Sequence, residues 1–241
     1  MRNKAAWAVV LGLVLLRFVA QASAKPPQTS AVPAPSASSS WFDPFDPAPS
    51  PSPSPAPVAA DPCPPTLVGT LTKAVGHLPK HQTLDLLQEA QDQWLALLPL
   101  RPNGSVGWIP SSSIRVSQTT WKLVVDRSRL RLTVIHDCQA VRSFPVAVGK
   151  PSTPTPKGTF YLDALYRLPP ASFVGPFAYT LSGHSNVLFS FDGGEGRLGL
   201  HGTSDPSSIG HATSHGCVRM FNKDISWLVS RLPLGTPVVV R

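Results

Sequence analysis

Cysteine is scarce in this chain, three in 241 residues. That is too few for a disulfide scaffold or for a four-cysteine metal site. The odd count leaves at least one thiol unpaired within the chain. Charge is scarce as well. Only 14% of residues are charged, against roughly 25% in an ordinary soluble domain, and the deficit lies mainly in an apolar N-terminus and a Pro/Ser/Ala tract. Long apolar runs are missing too. Residues 5–16 form an unbroken run of 12, about 18 Å of helix against a hydrocarbon core of about 30 Å. Basic residues outnumber acidic ones, 21 to 13, but they are scattered, so no nucleic-acid partner is expected. A mildly basic exported chain suits anionic envelope polymers, or simply stays soluble.

The first 24 residues read as an export signal. Arg2 and Lys4 precede the apolar run, Arg17 interrupts it, and Ala22-Ser23-Ala24 supplies small residues for cleavage. Cleavage is the expectation, and the protein belongs in the cell envelope, either periplasm or wall. The other reading is a retained anchor, with Arg17 snorkelling and the helix continuing to Ala24. Residues 25–65 hold half of the 28 prolines, including the alternating Pro/Ser run 49–55. Such a tract makes an extended, polyproline-type tether and not a packed domain. Its length is on the order of 120 Å at about 3.1 Å per residue. Trp41, Phe42 and Phe45 interrupt it, as a docking patch or by chance.

Two folded regions follow. Residues 66–118 have strand character: 94–98 is apolar, Asn103-Gly104 is the favoured type I′ hairpin pair, and 106–109 follows. Residues 84–90 fit helix or strand equally. The phrase Leu98-Pro99-Leu100-Arg101-Pro102-Asn103-Gly104-Ser105-Val106-Gly107-Trp108-Ile109-Pro110 resembles the end of the bacterial SH3-like modules of wall enzymes, which implies a small β-barrel that binds or packs and does no chemistry. Residues 119–241 have a normal domain size. Strands are expected at 121–126, 130–135, 141–148, 158–162, 187–191, 198–200 and 238–240. Only 222–232 reads as a helix, with Asn222 as N-cap, Asp224 in the first turn and an Ile225, Leu228, Val229, Leu232 stripe. The chain is expected to be mainly β.

The chemistry is concentrated between His201 and Arg219, where three histidines and a cysteine fall within 17 residues. Four readings compete. A Cys217 nucleophile with a histidine base would carry acyl transfer through a thioester, with Gly216 letting the main chain approach the reacting carbonyl. A zinc site at His201, His211, His215 and Cys217 has the right ligand types, but its spacing matches no metal pattern. A disulfide of Cys217 with Cys63 or Cys138 is permitted by export, as is Cys63 with Cys138. A buried structural thiol is the bland reading, and the Ser-His-Gly-Cys cluster argues against it.

Ser214-His215-Gly216-Cys217-Val218-Arg219-Met220, with His201-Gly202-Thr203 upstream, resembles the signature of the L,D-transpeptidase catalytic domain family of the YkuD type. Phe144-Pro145-Val146-Ala147-Val148-Gly149, Pro154-Thr155-Pro156-Lys157-Gly158-Thr159-Phe160 and Leu234-Gly235-Thr236-Pro237-Val238 resemble its other phrases, in the same order. The resemblance covers residues 119–241. Many members have Asn where this chain has Arg219, which blurs substrate choice. The implied fold is a β-sandwich with the catalytic loop at one end. The implied reaction is acyl transfer on peptidoglycan stem peptides, forming 3→3 cross-links, without metal or organic cofactor and open to inactivation by carbapenems. Cys217 would be the nucleophile and His201 its base, oriented by the Gly202 carbonyl. The N–H groups of Gly216 and Cys217, with His215, would bind the oxyanion. Ser214 would support the loop. Arg219 would hold the loop or a substrate carboxylate, with a structural ion pair as its other role. Tyr179 and the Gly175-Pro176 loop would line the donor site, with core packing as the other role. His211 is expected in a loop, and His136 and His184 at the surface. Cys217 should then stay free, and Cys63 with Cys138 is the pair to test. Water as acceptor would make the protein an L,D-carboxypeptidase. Another wall-peptide cysteine hydrolase and a catalytically silent wall-binding protein are the remaining alternatives.

Overall fold

The computed structural model describes residues 64–169, 171–191 and 193–241. The expected export signal, the proline-rich tract, the 41–45 aromatic patch and Cys63 lie outside the described residues. No helix among the described residues is long and apolar enough to cross a membrane.

The first strands are β1 (Thr66–Leu71), β2 (Thr83–Ala90), β3 (Gln93–Leu97), β4 (Val106–Pro110) and β5 (Ile114–Thr119). They form an antiparallel sheet in the order β4-β3-β2-β1-β5. The ambiguous stretch at 84–90 is strand, because β1 and β3 pair with it on both sides and satisfy its main-chain groups. Asn103-Gly104 does not make a two-residue type I′ hairpin. The β3–β4 connection runs from 98 to 105, and Ser105 N donates to the Pro102 carbonyl around Asn103 and Gly104. Only Gly104 has positive φ, +87°, so Asn103 keeps an ordinary backbone and turns its side chain outward to another use.

The second sheet contains β6 (Trp121–Asp126), β7 (Arg131–His136), β8 (Gln139–Pro145), β10 (Gly158–Arg167), β11 (Phe177–His184), β12 (Arg197–His201), β14 (Val218–Arg219) and β15 (Pro237–Val240). Its order is β14-β12-β11-β10-β15-β6-β7-β8. Two short strands, β9 (Val148–Gly149) and β13 (Ala212–Ser214), pair in parallel beside it. Alternation is honoured where it was clear: Leu123 and Val125, Leu132 and Val134, and Val238 and Val240 all point into one core. The expected strand 141–148 is instead split, because Pro145 has no N–H to continue the ladder and the chain leaves the sheet there. Residues 187–191 form no strand, whereas β11, which had not been expected, is an inner strand of the sheet.

One helix, α1 (Asn222–Val229), closes the same core with Ile225 and Leu228. Asn222 is not its N-cap. Phe221 occupies that position without a side-chain bond, and Asn222 Oδ1 accepts from Thr203 N at 2.8 Å.

The two sheets share side chains. Tyr161 of β10 sits in the core of the first sheet beside Leu71, Leu84 and Trp94, and its hydroxyl donates to the Leu97 carbonyl at 3.3 Å. Gln82 donates to Asp163, which also accepts from Arg197 at 2.6 Å. A first region of about 50 residues is near the minimum for its own core, and the tyrosine from the second sheet completes it.

Candidate active site

The site is built where β12 ends. β12 and β14 pair in parallel, Leu200 with Val218 and His201 with Arg219. This register returns the chain, after the 202–216 excursion, so that Cys217 arrives beside the end of β12. A methyl group built on Gly199 would stand 3.4 Å from both Cys217 Sγ and His201 Cδ2. The sulfur and the ring edge therefore border the same point beside Gly199. Both line a cavity of about 330 Å³ with Phe173, Val174, Ser214 and Arg219. Cys217 also reaches an adjoining cleft of about 20 Å³ walled by Leu188, Phe191, Leu198 and His215, and Phe191 and His215 line the larger cavity too.

The loop carrying Cys217 is held by hydroxyls. Ser214 Oγ donates to the Cys217 carbonyl at 2.6 Å. Thr153 Oγ1 donates to the Ser214 carbonyl at 3.1 Å and Thr155 Oγ1 to the Gly216 carbonyl at 2.8 Å. Gly216 has φ +121°, a conformation that side-chain-bearing residues avoid. Ser214 Oγ thus bridges the Gly216 N–H and the Cys217 carbonyl, and the threonines of the proline-rich phrase at 151–156 buttress the loop. Neither threonine was singled out by its type, although Thr155 lay inside a quoted family phrase.

His201 is buried, and its Nδ1 lies 2.5 Å from the Gly202 carbonyl. A carbonyl only accepts, so Nδ1 carries the hydrogen and Nε2 keeps the lone pair. Burial pushes the His201 pKa down to about 4. The Gly202 carbonyl opposes this, Arg219 adds to it, and the Val174 carbonyl opposes it more weakly. Burial also pushes the Cys217 thiol up, against a hydrogen bond from the Gly199 backbone and the charge of Arg219. The resting pair is therefore neutral thiol and neutral imidazole. Cys217 is a free cysteine, and Cys138 is disulfide-bonded.

Three expectations are corrected, the Gly216 N–H and Tyr179 in their roles and His184 in its position. The Gly216 N–H donates to Ser214 Oγ at 3.1 Å, so it is not aimed at an oxyanion. The Cys217 N–H has no protein acceptor among the described residues, and exposed His215 stands in the cavity wall. Tyr179 is 1% exposed and its hydroxyl donates to the Leu232 carbonyl at 3.2 Å. It is a core residue, and Phe173 and Val174 line the cavity instead. His184 is buried, not at the surface, and its Nε2 lies 3.3 Å from Glu195. The hypothetical zinc ligands do not converge, since no group of three potential ligands that could hold a metal exists among the described residues. Arg219 faces the cavity without an ion-pair partner among the described residues. His211 lies in the loop before β13, and half-buried His136 stacks on Trp121 at 3.8 Å.

Residues 120–240 match the family model described as YkuD, L,D-transpeptidase catalytic domain. The chain is 35% identical over 152 residues to YkuD of Bacillus subtilis (strain 168), an alignment covering 60% of this chain and 84% of that protein. It is 29% identical over 122 residues to L,D-transpeptidase 1 of Mycobacterium tuberculosis, covering 45% of each. Among solved structures it is similar to an L,D-transpeptidase from Mycobacterium smegmatis, at 19% identity and a TM-score of 0.42, covering 74% of this chain and 99% of that one. By the match over half its length and the extent of the Bacillus alignment, the chain belongs to the L,D-transpeptidase catalytic domain family.

Proposed function

We propose that the protein is an exported peptidoglycan L,D-transpeptidase that works through a Cys217 thioester. The observation that carries this reading is the parallel β12–β14 register, which sets a free thiol against a buried imidazole whose outer nitrogen is unprotonated. His201 Nε2 takes the thiol proton as Sγ bonds to the acyl carbon between the third stem residue and D-Ala. The Cys217 N–H and His215 stabilise the oxyanion. The C–N bond then breaks, and the imidazolium returns the proton to the departing D-Ala amine. A side-chain amine of a second stem attacks the thioester, loses its proton to His201, and releases Sγ with formation of the 3→3 cross-link. Arg219, unpaired in the cavity wall, holds a carboxylate of the stem. Residues 1–24 direct export, 25–65 form a tether, and the sheet of 66–118 is an SH3-like module beside the catalytic domain of 119–241.

The test is covalent. Purified protein spanning 66–241, incubated with a carbapenem, should gain the mass of one adduct. That adduct should map to Cys217 and vanish in Cys217→Ala. An adduct on another residue, or none, overturns the assignment. With a stem tetrapeptide, release of D-Ala and dimers in the presence of acceptor amine distinguish transfer from hydrolysis.

A further inference from the structure

The connection between β11 and β12, residues 185–196, runs along the smaller cleft at Cys217 and supplies Ser185, Leu188 and Phe191 to it. Phe191 also stacks on His215, with ring centroids 5.2 Å apart. Among the described residues, the loop's own ties lie at its base and tip: Ser185 N donates to the Gly196 carbonyl at 2.8 Å, the Ser185 hydroxyl accepts from the N–H groups of 187 and 188, and Phe191 bridges Gly194. Its apolar side chains do not bury themselves, since Phe189 is 70% exposed.

What holds the loop comes from the other sheet, more than 80 residues earlier. Arg101, in the β3–β4 connection, donates to three loop carbonyls: Ser185 at 2.7 Å, Leu188 at 3.1 Å and Glu195 at 2.9 Å. Its guanidinium carbon also lies 4.8 Å from the Phe189 ring centroid. Asn103 exchanges two bonds of 2.8 Å with the main chain of His184 and reaches Asn186 Oδ1 at 3.2 Å. At Gly196 a Cβ would stand 2.0 Å from the Leu188 carbonyl oxygen and 3.1 Å from Arg101 Nη2. The loop is therefore drawn tightly around the arginine.

We infer that Arg101 and Asn103 are positioning residues that set the donor-binding wall of the Cys217 cleft. This rests on the transpeptidase reading for the identity of the donor. His201 lines only the larger cavity. The leaving amine and the incoming amine both exchange protons with His201, so both meet it on that side. The acyl part of the donor then runs along the wall that the two cavities share, where Phe191 of the 185–196 loop and His215 line both. The first sheet thus shapes the substrate path without touching the reacting atoms. Only arginine's planar fork reaches three carbonyls at once, and lysine lacks it.

The experiment compares the full chain with Arg101→Ala, Arg101→Lys and Asn103→Ala, with circular dichroism as the folding control. Loss of charge-assisted bonds should accelerate amide exchange in 185–196 by about tenfold or more and leave the β6 and β7 amides unchanged. The donor KM should rise by about tenfold, with kcat and the alkylation of Cys217 by iodoacetamide within about twofold. Arg101→Lys should not rescue. Unchanged loop exchange, rescue by lysine, or a loosened loop with an unaltered donor KM would each overturn the proposal. If Arg101→Ala does not fold, Asn103→Ala carries the same test. A wild-type chain that neither takes a carbapenem at Cys217 nor releases D-Ala defeats the transpeptidase reading and the donor assignment with it. The exchange arm then still decides whether Arg101 and Asn103 hold the loop.

Discussion

The proposed chemistry turns on two groups that burial pushes in opposite directions. Taking His201 out of water disfavours imidazolium and taking Cys217 out of water disfavours thiolate, so neither charge is stored in the resting site. In the proposed mechanism the proton moves during attack, when the Gly202 carbonyl behind Nδ1 steadies the imidazolium. The expected consequence is a pH profile for acylation with its acid limb near the His201 pKa of about 4, because the base is already neutral above that pH. Alkylation of Cys217 should climb through neutral pH without a plateau. An acid limb near 6.5, with a plateau at neutrality, would indicate a preformed ion pair instead. Cys217 and His201 were legible because reactive residue types cluster there beside a glycine. His184 was misread, and Tyr179 was left between two roles, because residue type does not report burial: both are buried on β11, a strand whose mixed sequence hid its period.

At the scale of elements, a two-residue strand decides the site. β14 contributes only Val218 and Arg219, yet its pairing with β12 sets where Cys217 stands. α1 takes part through Asn222, whose side-chain oxygen accepts from Thr203 N and lies so close to Gly202 that a Cβ there would stand 2.3 Å from it. Asn222→Ala should leave the buried Thr203 N–H unpaired. It should cost about 1–3 kcal/mol in urea unfolding and slow acylation by shifting the Gly202 carbonyl behind His201. Equal stability of the two proteins would sink this role. Strands β6 and β15 were readable as short apolar runs and β7 from its alternation. The same rule failed at 187–191, where Val187, Phe189 and Phe191 alternate as a strand would. Those residues belong to a loop held from outside, by Arg101, and no local pattern records a partner that distant in sequence.

Across the whole molecule the two sheets meet at a polar and partly unsatisfied seam. Asp85 is buried, its Oδ1 has no partner among the described residues, and burial pushes its pKa up to about 8. Asp85 and Asp163 both help burial to raise the pKa of Tyr161, the residue that completes the first core. A carboxyl whose folded pKa lies above its unfolded value stabilises fully below the unfolded value, near 4. That contribution is lost as pH rises through about 8. Asp85→Asn should therefore match the wild type in urea unfolding near about pH 4 and exceed it by ~2–4 kcal/mol near about pH 9. A difference independent of pH would exclude this account.

The chain order alone carried the mainly β class, the family and the candidate nucleophile and base, because those depend on residue types at short spacing and on alternation within a strand. Folding settled what the spacing left open. It withdrew the Gly216 N–H from the oxyanion, moved Tyr179 into the core, gave Asn222 to Thr203, and made a loop of the first sheet the support for the cleft beside Cys217. Each of these is a contact between segments far apart in sequence, where hydrogen-bond partners and burial are fixed by packing and not by neighbours along the chain.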